Sequence, residues 1–137
     1  MEIVAIPAFE DNYIWAITQH NNQSCVIIDP GDADAVSAFL KAHQYQLDSI
    51  LITHHHPDHT GALEALISNY QPVVFAPPHP SLPKKIHLVY NGQTIHMHKL
   101  SLYFSVISTP GHTLDHICYF SAEHKVLFSG DTLFAGG

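Results

Sequence analysis

The sequence predicts an α/β fold, shading into α+β: a sheet that carries helices on one face, with part of a second sheet behind it. Three observations predict it. "LDSILIT" is a short, nearly continuous apolar run, the pattern of a strand covered on both faces. "DADAVSAFLKAH" places Ala35, Phe39 and His43 on a helical period. From residue 86 onward the pattern is that of strands alone.

Taken in order, "MEIVAIPAF" and "NYIWAIT" read as strands, with Tyr13 and Trp15 assigned to the core. "SCVIIDPG" is a third strand ending in an Asp-Pro-Gly turn. Asp32 or Asp34 can cap the helix that follows. After "LDSILIT" comes a helix from about Gly61 to Tyr70, with Asp58 and His59 near its start, and then the strand "PVVFA". "NGQT" signals a hairpin. "LSLYFSV" turns Leu100, Leu102, Phe104 and Val106 to one face, and "HICYFSAEHKVLFSG" gives two strands joined by a polar turn. Two helices cover one face of one sheet, so the later strands are expected to lack a cover, as in half of a larger design.

Composition narrows the function. The chain has 137 residues, the length of one domain, and 46% of them are hydrophobic against 12% charged, a globular balance. Its formal charge is −7, and its only basic side chains besides histidine are Lys41, Lys84, Lys85, Lys99 and Lys125. Without arginine or a cationic stripe, nucleic-acid binding is excluded as an expectation. No apolar run reaches the ~20 residues of a membrane helix, and the N-terminus lacks the basic and apolar regions of a signal peptide. Cys25 and Cys118 lie in strand-like runs and read as reduced core thiols of a cytoplasmic protein.

Titratable residues recur where predicted strands end: Asp29 after "CVII", "HHHPDH" after "ILIT", His112 in "STPGHT" and Asp131 in "LFSGDT". Strand ends are where open α/β sheets collect ligands. In an extended loop His54 and His56 point the same way and His55 the other. Pro57 stiffens the turn before Asp58 and His59. Imidazole and carboxylate suit zinc, iron or manganese, and this many ligands exceed what one tetrahedral ion can use, which points to two neighbouring ions. His116 follows the same loop as a supporting or a packed residue. His96 and His98 share a strand face, and His20, His43, His79, His87 and His124 read as surface.

"THHHPDH" resembles the H-x-H-x-D-H signature of the metallo-β-lactamase superfamily. "IPAFEDNYIWAI", "IDPGDA", "TPGHTLDHICYF" and "SGDTLFAGG" narrow the resemblance to glyoxalase II, the hydroxyacylglutathione hydrolases, along essentially the whole chain. The resemblance implies an αββα sandwich of which residues 1–137 supply the N-terminal half, a partial metallo-β-lactamase domain without the C-terminal helical domain that binds glutathione. It implies that His54, His56 and His112 hold one metal ion, that Asp58 and His59 hold a second, and that Asp131 bridges both. Zinc is the expected metal, with iron or manganese as alternatives. Asp29 would support the metal loop from behind, and Asp58 would assist a metal-held hydroxide. The activity implied is hydrolysis of S-(2-hydroxyacyl)glutathione thioesters, such as S-D-lactoylglutathione to glutathione and D-lactate, in methylglyoxal detoxification.

Two departures stand out. Asp115 occupies a position where the family usually has glycine. The family's last metal-ligand histidine lies beyond "LFAGG", so weaker binding of the second ion, little or no turnover by these residues alone, and self-association are expected. A glutathione-persulfide dioxygenase, a lactonase or a non-catalytic metal-binding remnant are the alternatives.

Overall fold

The computed structural model describes residues 1–9, 12–111, 114–130 and 132–135. The first sheet runs β1 (Glu2–Ala8), β2 (Asn12–Thr18), β3 (Ser24–Ile28), β4 (Gln46–Leu51), β5 (Val73–Ala76) and β6 (His87–Leu88), in that spatial order. Its first three strands are antiparallel, as short connections allow, and β3 to β6 are parallel. Parallel neighbours require crossovers. Helix α1 (Ala33–His43) joins β3 to β4, while α2 (Pro57–Thr60) and α3 (Leu63–Tyr70) join β4 to β5. Asp32 caps α1 by accepting from the N–H groups of Asp34 and Ala35.

The second sheet is antiparallel throughout, in the order β11 (Thr132–Ala135), β10 (Val126–Ser129), β9 (Ile117–Ser121), β8 (Leu102–Ser108) and β7 (Thr94–Met97). Strand alternation divides the core into two. Cys25, Ile27, Ile50 and Ile52 face Val36, Leu40, Leu63 and Leu66 of the helices. Val26, Ile28 and Leu51 face Phe104, Val106, Tyr119 and Phe128 of the second sheet. This is why β3 is buried at all five positions and reads as an unbroken apolar run. Cys25 and Cys118 are both free and buried, and burial pushes the Cys25 thiol up to about 12.

Three expectations are corrected. The helix predicted from Gly61 begins at Leu63, with a separate turn of helix at Pro57–Thr60, because the Ala62 N–H donates to Pro30 O (3.0 Å) rather than continuing a helical ladder. "NGQT" does not form a hairpin. β6 pairs with β5 in the first sheet and β7 with β8 in the second, so the turn at Gly92 (φ +89°) passes the chain between layers. Buried Val89 on one side and Ile95 on the other pin that crossing between the sheets. Tyr13 is 46% exposed and stacks on a partly buried Trp15, so this pair lies at the rim of the core.

The sheets are fastened together at the end of β4. The Ile117 N–H donates to Thr53 O (2.9 Å), and the fully buried Tyr119 hydroxyl donates to Ile52 O (2.6 Å), with Phe75 O at 3.3 Å. Burial and the nearby Asp29 charge push the Tyr119 phenol well above its ordinary pKa, so it keeps its proton and remains a donor. Tyr119→Phe leaves the Ile52 carbonyl without this donor, and a loss of about 1–3 kcal/mol of stability in urea unfolding is expected. An unchanged midpoint would contradict the role of this bond.

Candidate metal centre

The site begins with one buried carboxylate. Asp29 ends β3 in the left-handed region (φ +54°), a conformation aspartate tolerates better than most residues. Its Oδ1 accepts the Thr53 N–H at 2.7 Å. Its Oδ2 lies 2.6 Å from Thr53 Oγ1 and 3.0 Å from His59 Nδ1. A carboxylate only accepts, so the Thr53 hydroxyl and His59 Nδ1 must both donate. The Thr53 hydroxyl has then spent its one proton. Toward His54 Nδ1, 2.9 Å away, it can only accept, so that nitrogen carries a proton as well. In its neutral form each ring is thereby fixed in one tautomer, with Nε2 as the lone-pair atom.

His54, His59 and Asp29 are all buried, and one ligand atom from each falls within 4.8 Å of the others. His54 sits among other rings, with centroids 4.8 Å from His56, 4.3 Å from His59 and 5.0 Å from His116. Asp58 Oδ2 lies 3.6 Å from His59 Nε2 and accepts from Asn12 Nδ2 at 2.8 Å. Burial alone would raise the Asp58 carboxyl, but the Asn12 hydrogen bond first, and then the neighbouring His59, hold it below the usual carboxylate range. Burial first, and then His59, lower His54 from 6.5 to about 4 against the pull of Asp29, so the ring is neutral near pH 7. A neutral imidazole at His54 beside an ionised carboxylate is the kind of donor set a divalent cation takes. The oxygens of Asp29 are engaged in holding Thr53 and His59, which suits it to support ligands rather than to be one.

Local sequence makes this packing possible. A Cβ on Gly31 would land on the Asp58 carbonyl, and one on Gly61 would come within 2.8 Å of Gly31 O. The Asp-Pro-Gly turn therefore lies directly against the helix that carries Asp58 and His59. The Thr60 hydroxyl donates to the carbonyls of His55 and His56, closing the histidine loop onto the same helix.

Of the residues expected from the sequence, the structure brings together Asp29, His54, His56, Asp58 and His59. His112 and Asp131 lie outside the described residues. His116 joins the cluster, with Nδ1 3.0 Å from Thr109 Oγ1 and its ring against His54. Sequence reasoning gave no role to Thr53, Asn12 or Trp15. Trp15 Nε1 donates to Gly130 O (3.2 Å), and a Cβ on Gly130 (φ +78°) would meet His116 Nε2 at 3.5 Å and His54 Cε1 at 3.9 Å. Trp15 thus pins the turn after β10 beside the histidines. Asn12 and Trp15 fall within "DNYIW", a segment legible as a family signature but not as site chemistry.

The family described as the metallo-beta-lactamase superfamily matches residues 9–94 and 77–137. Hydroxyacylglutathione hydrolase of Salmonella typhi is 45% identical over 138 aligned positions, covering 100% of this chain and 53% of that protein. The same-named protein of Salmonella newport (strain SL254) is 44% identical with the same coverage. The chain thus spans about half the length of the curated relatives it matches. Among solved structures, BLEG-1 B3 metallo-beta-lactamase superposes with a TM-score of 0.81 at 29% identity, covering 97% of this chain and 73% of that one. ETHE1 from Myxococcus xanthus gives 0.72 at 27% identity, covering 88% and 54%.

The His54 environment predicts how the metal-free protein responds to acid. The unfolded chain takes up this proton near pH 6.5 and the folded one only near 4. Its contribution to stability is therefore complete above about pH 6.5 and is lost as the pH falls toward 4. Urea unfolding across that window should show stability falling with pH, and His54→Gln should flatten the fall. An equally steep fall in the variant would contradict the assignment.

Proposed function

This chain belongs to the metallo-beta-lactamase superfamily, and on that footing we propose that it is the metal-holding part of a hydrolase of S-(2-hydroxyacyl)glutathione thioesters. In this reading His54, His56 and His112 hold one divalent ion, Asp58 and His59 a second, and Asp131 bridges them. Zinc is the first choice, in a cytoplasmic setting. The observation that carries the metal centre is the buried relay from Asp29 through Thr53, which fixes the tautomers of His54 and His59 and leaves Nε2 as the lone-pair atom of each. The thioester substrate is supported by the 45% identity to a hydroxyacylglutathione hydrolase along the whole chain, against 29% to a β-lactamase.

When bound, such ions supply Lewis acidity and make water a competent nucleophile near neutral pH. The chain's own contribution is placement. Asp29 and Thr53 hold protons on the Nδ1 atoms of His59 and His54, so neither ring can turn its lone pair away. Asp58 is kept ionised and anchored by Asn12 through Oδ2, which suits it to accept a hydrogen bond or proton from water. The leaving thiolate, with a free pKa of ~8.5, departs without a strong acid, so no residue need serve as one.

Metal-stripped protein given zinc should bind it and show little or no cleavage of S-D-lactoylglutathione, read as loss of thioester absorbance. His54→Ala should weaken zinc binding at least about tenfold while circular dichroism is preserved. Cleavage that survives chelation would contradict the metal centre. Robust turnover of S-D-lactoylglutathione by residues 1–137 alone would contradict the reading of this chain as the metal-holding part.

A further inference from the structure

The histidine between the two proposed ligands turns away from them into a contact of its own. His55 Nδ1 lies 3.0 Å from Asp115 Oδ1, and the Asp115 side chain is only 8% exposed. The opposite anchor is His79, whose ring lies flat on that of His55, with centroids 3.6 Å apart and planes within 4°. His79 is itself fixed, because its Nδ1 accepts the Ser81 N–H at 3.1 Å and lies 2.8 Å from Ser81 Oγ. Three segments far apart in sequence therefore meet at one imidazole: the loop after β4, the loop after β5 and the loop leading into β9.

This cluster does not suit a metal ion of its own. Imidazole lone pairs lie in the ring plane, so rings stacked in parallel cannot aim them at a common point. What the arrangement does is join loops. The loop after β4 carries His54 and His56, and the loop before β9 carries His112 and His116. The backbone bond from Ile117 to Thr53 ties these loops at their base, and the His55–Asp115 bond ties them farther out. A glycine at position 115 would offer no side chain for that second tie.

We propose that Asp115 is a positioning residue for the metal centre, acting through His55 to clamp the loop of His54 and His56 to the loop that leads into β9. The proposal rests on the reading of these histidines as ligands. The backbone bond at Thr53 holds the two loops at their base, and the His55–Asp115 bond restrains the segment of His54 and His56 farther along. Outer partners that orient ligands in this way commonly set metal affinity by ten- to a hundredfold.

The test is a double-mutant cycle on zinc affinity, measured by competition with a chelator, using Asp115→Gly, His55→Phe and the pair together. Phenylalanine keeps the stack on His79 and loses only the bond to Asp115. Each single variant should bind zinc about tenfold more weakly, and the double variant no more weakly than either. Asp115→Asn, whose Oδ1 can still accept the His55 proton, should recover most of the loss. The visible spectrum of the cobalt-substituted protein should shift in Asp115→Gly and return in Asp115→Asn. Affinities within twofold of the parent, or losses that multiply in the double variant, would overturn the clamp. Amide exchange in the metal-free protein separates this proposal from the metal reading. Asp115→Gly should speed exchange at residues 54–56 and 114–116 whether or not zinc binds, and unchanged exchange there would overturn the clamp even if the parent protein bound no metal.

Discussion

The site depends on one charge buried where it is expensive. A carboxylate removed from water costs several kcal/mol unless its lone pairs are occupied. Asp29 meets that requirement with the Thr53 N–H, the Thr53 hydroxyl and His59 Nδ1. Those partners are the start of the histidine loop and one of its rings, so satisfying the charge and building the site are the same event. The polarity of the relay follows from elementary valence. An acceptor-only group at its head forces each later member to donate toward it, and the order of protons ends at the far nitrogens of His54 and His59.

The architecture delivers this relay to one place. Parallel strands β3 and β4 end side by side, so Asp29 and Thr53 are neighbours although 24 residues separate them. The second sheet is bolted to the same strand end by Ile117 and Tyr119, which sets His116 against His54. From the other direction, β2 contributes Asn12 to Asp58 and Trp15 to the Gly130 carbonyl. Close approach of the Asp-Pro-Gly turn to the helix of Asp58 and His59 is possible only because positions 31 and 61 carry no side chain. Rigid strand ends, not loops alone, therefore fix the spacing of the rings.

Much of this was legible in the sequence because it has a local signature. A continuous apolar run announces a strand buried on both sides, and the "HHHPDH" spacing announces a cluster of histidines at its end. The alternation that sends His55 away from His54 and His56 follows from extended backbone, and His55 does turn to Asp115 and His79. What escaped the reading is non-local. Thr53 looks like any strand threonine until Asp29 lies beside it. Trp15 looks like core until its N–H meets a carbonyl 115 residues away. "NGQT" has the chemistry of a hairpin turn, but the burial of Val89 and Ile95 between the layers sends its flanking strands to different sheets. His79 carries no local mark at all, because its role depends on stacking against another loop.

The account rests on where two protons sit, and that can be measured directly. Nitrogen chemical shifts of the His54 and His59 rings in the metal-free protein should report a proton on Nδ1 of each, and added zinc should move the Nε2 signals. An Nδ1 without a proton on either ring, or Nε2 signals that zinc leaves unmoved, would contradict it.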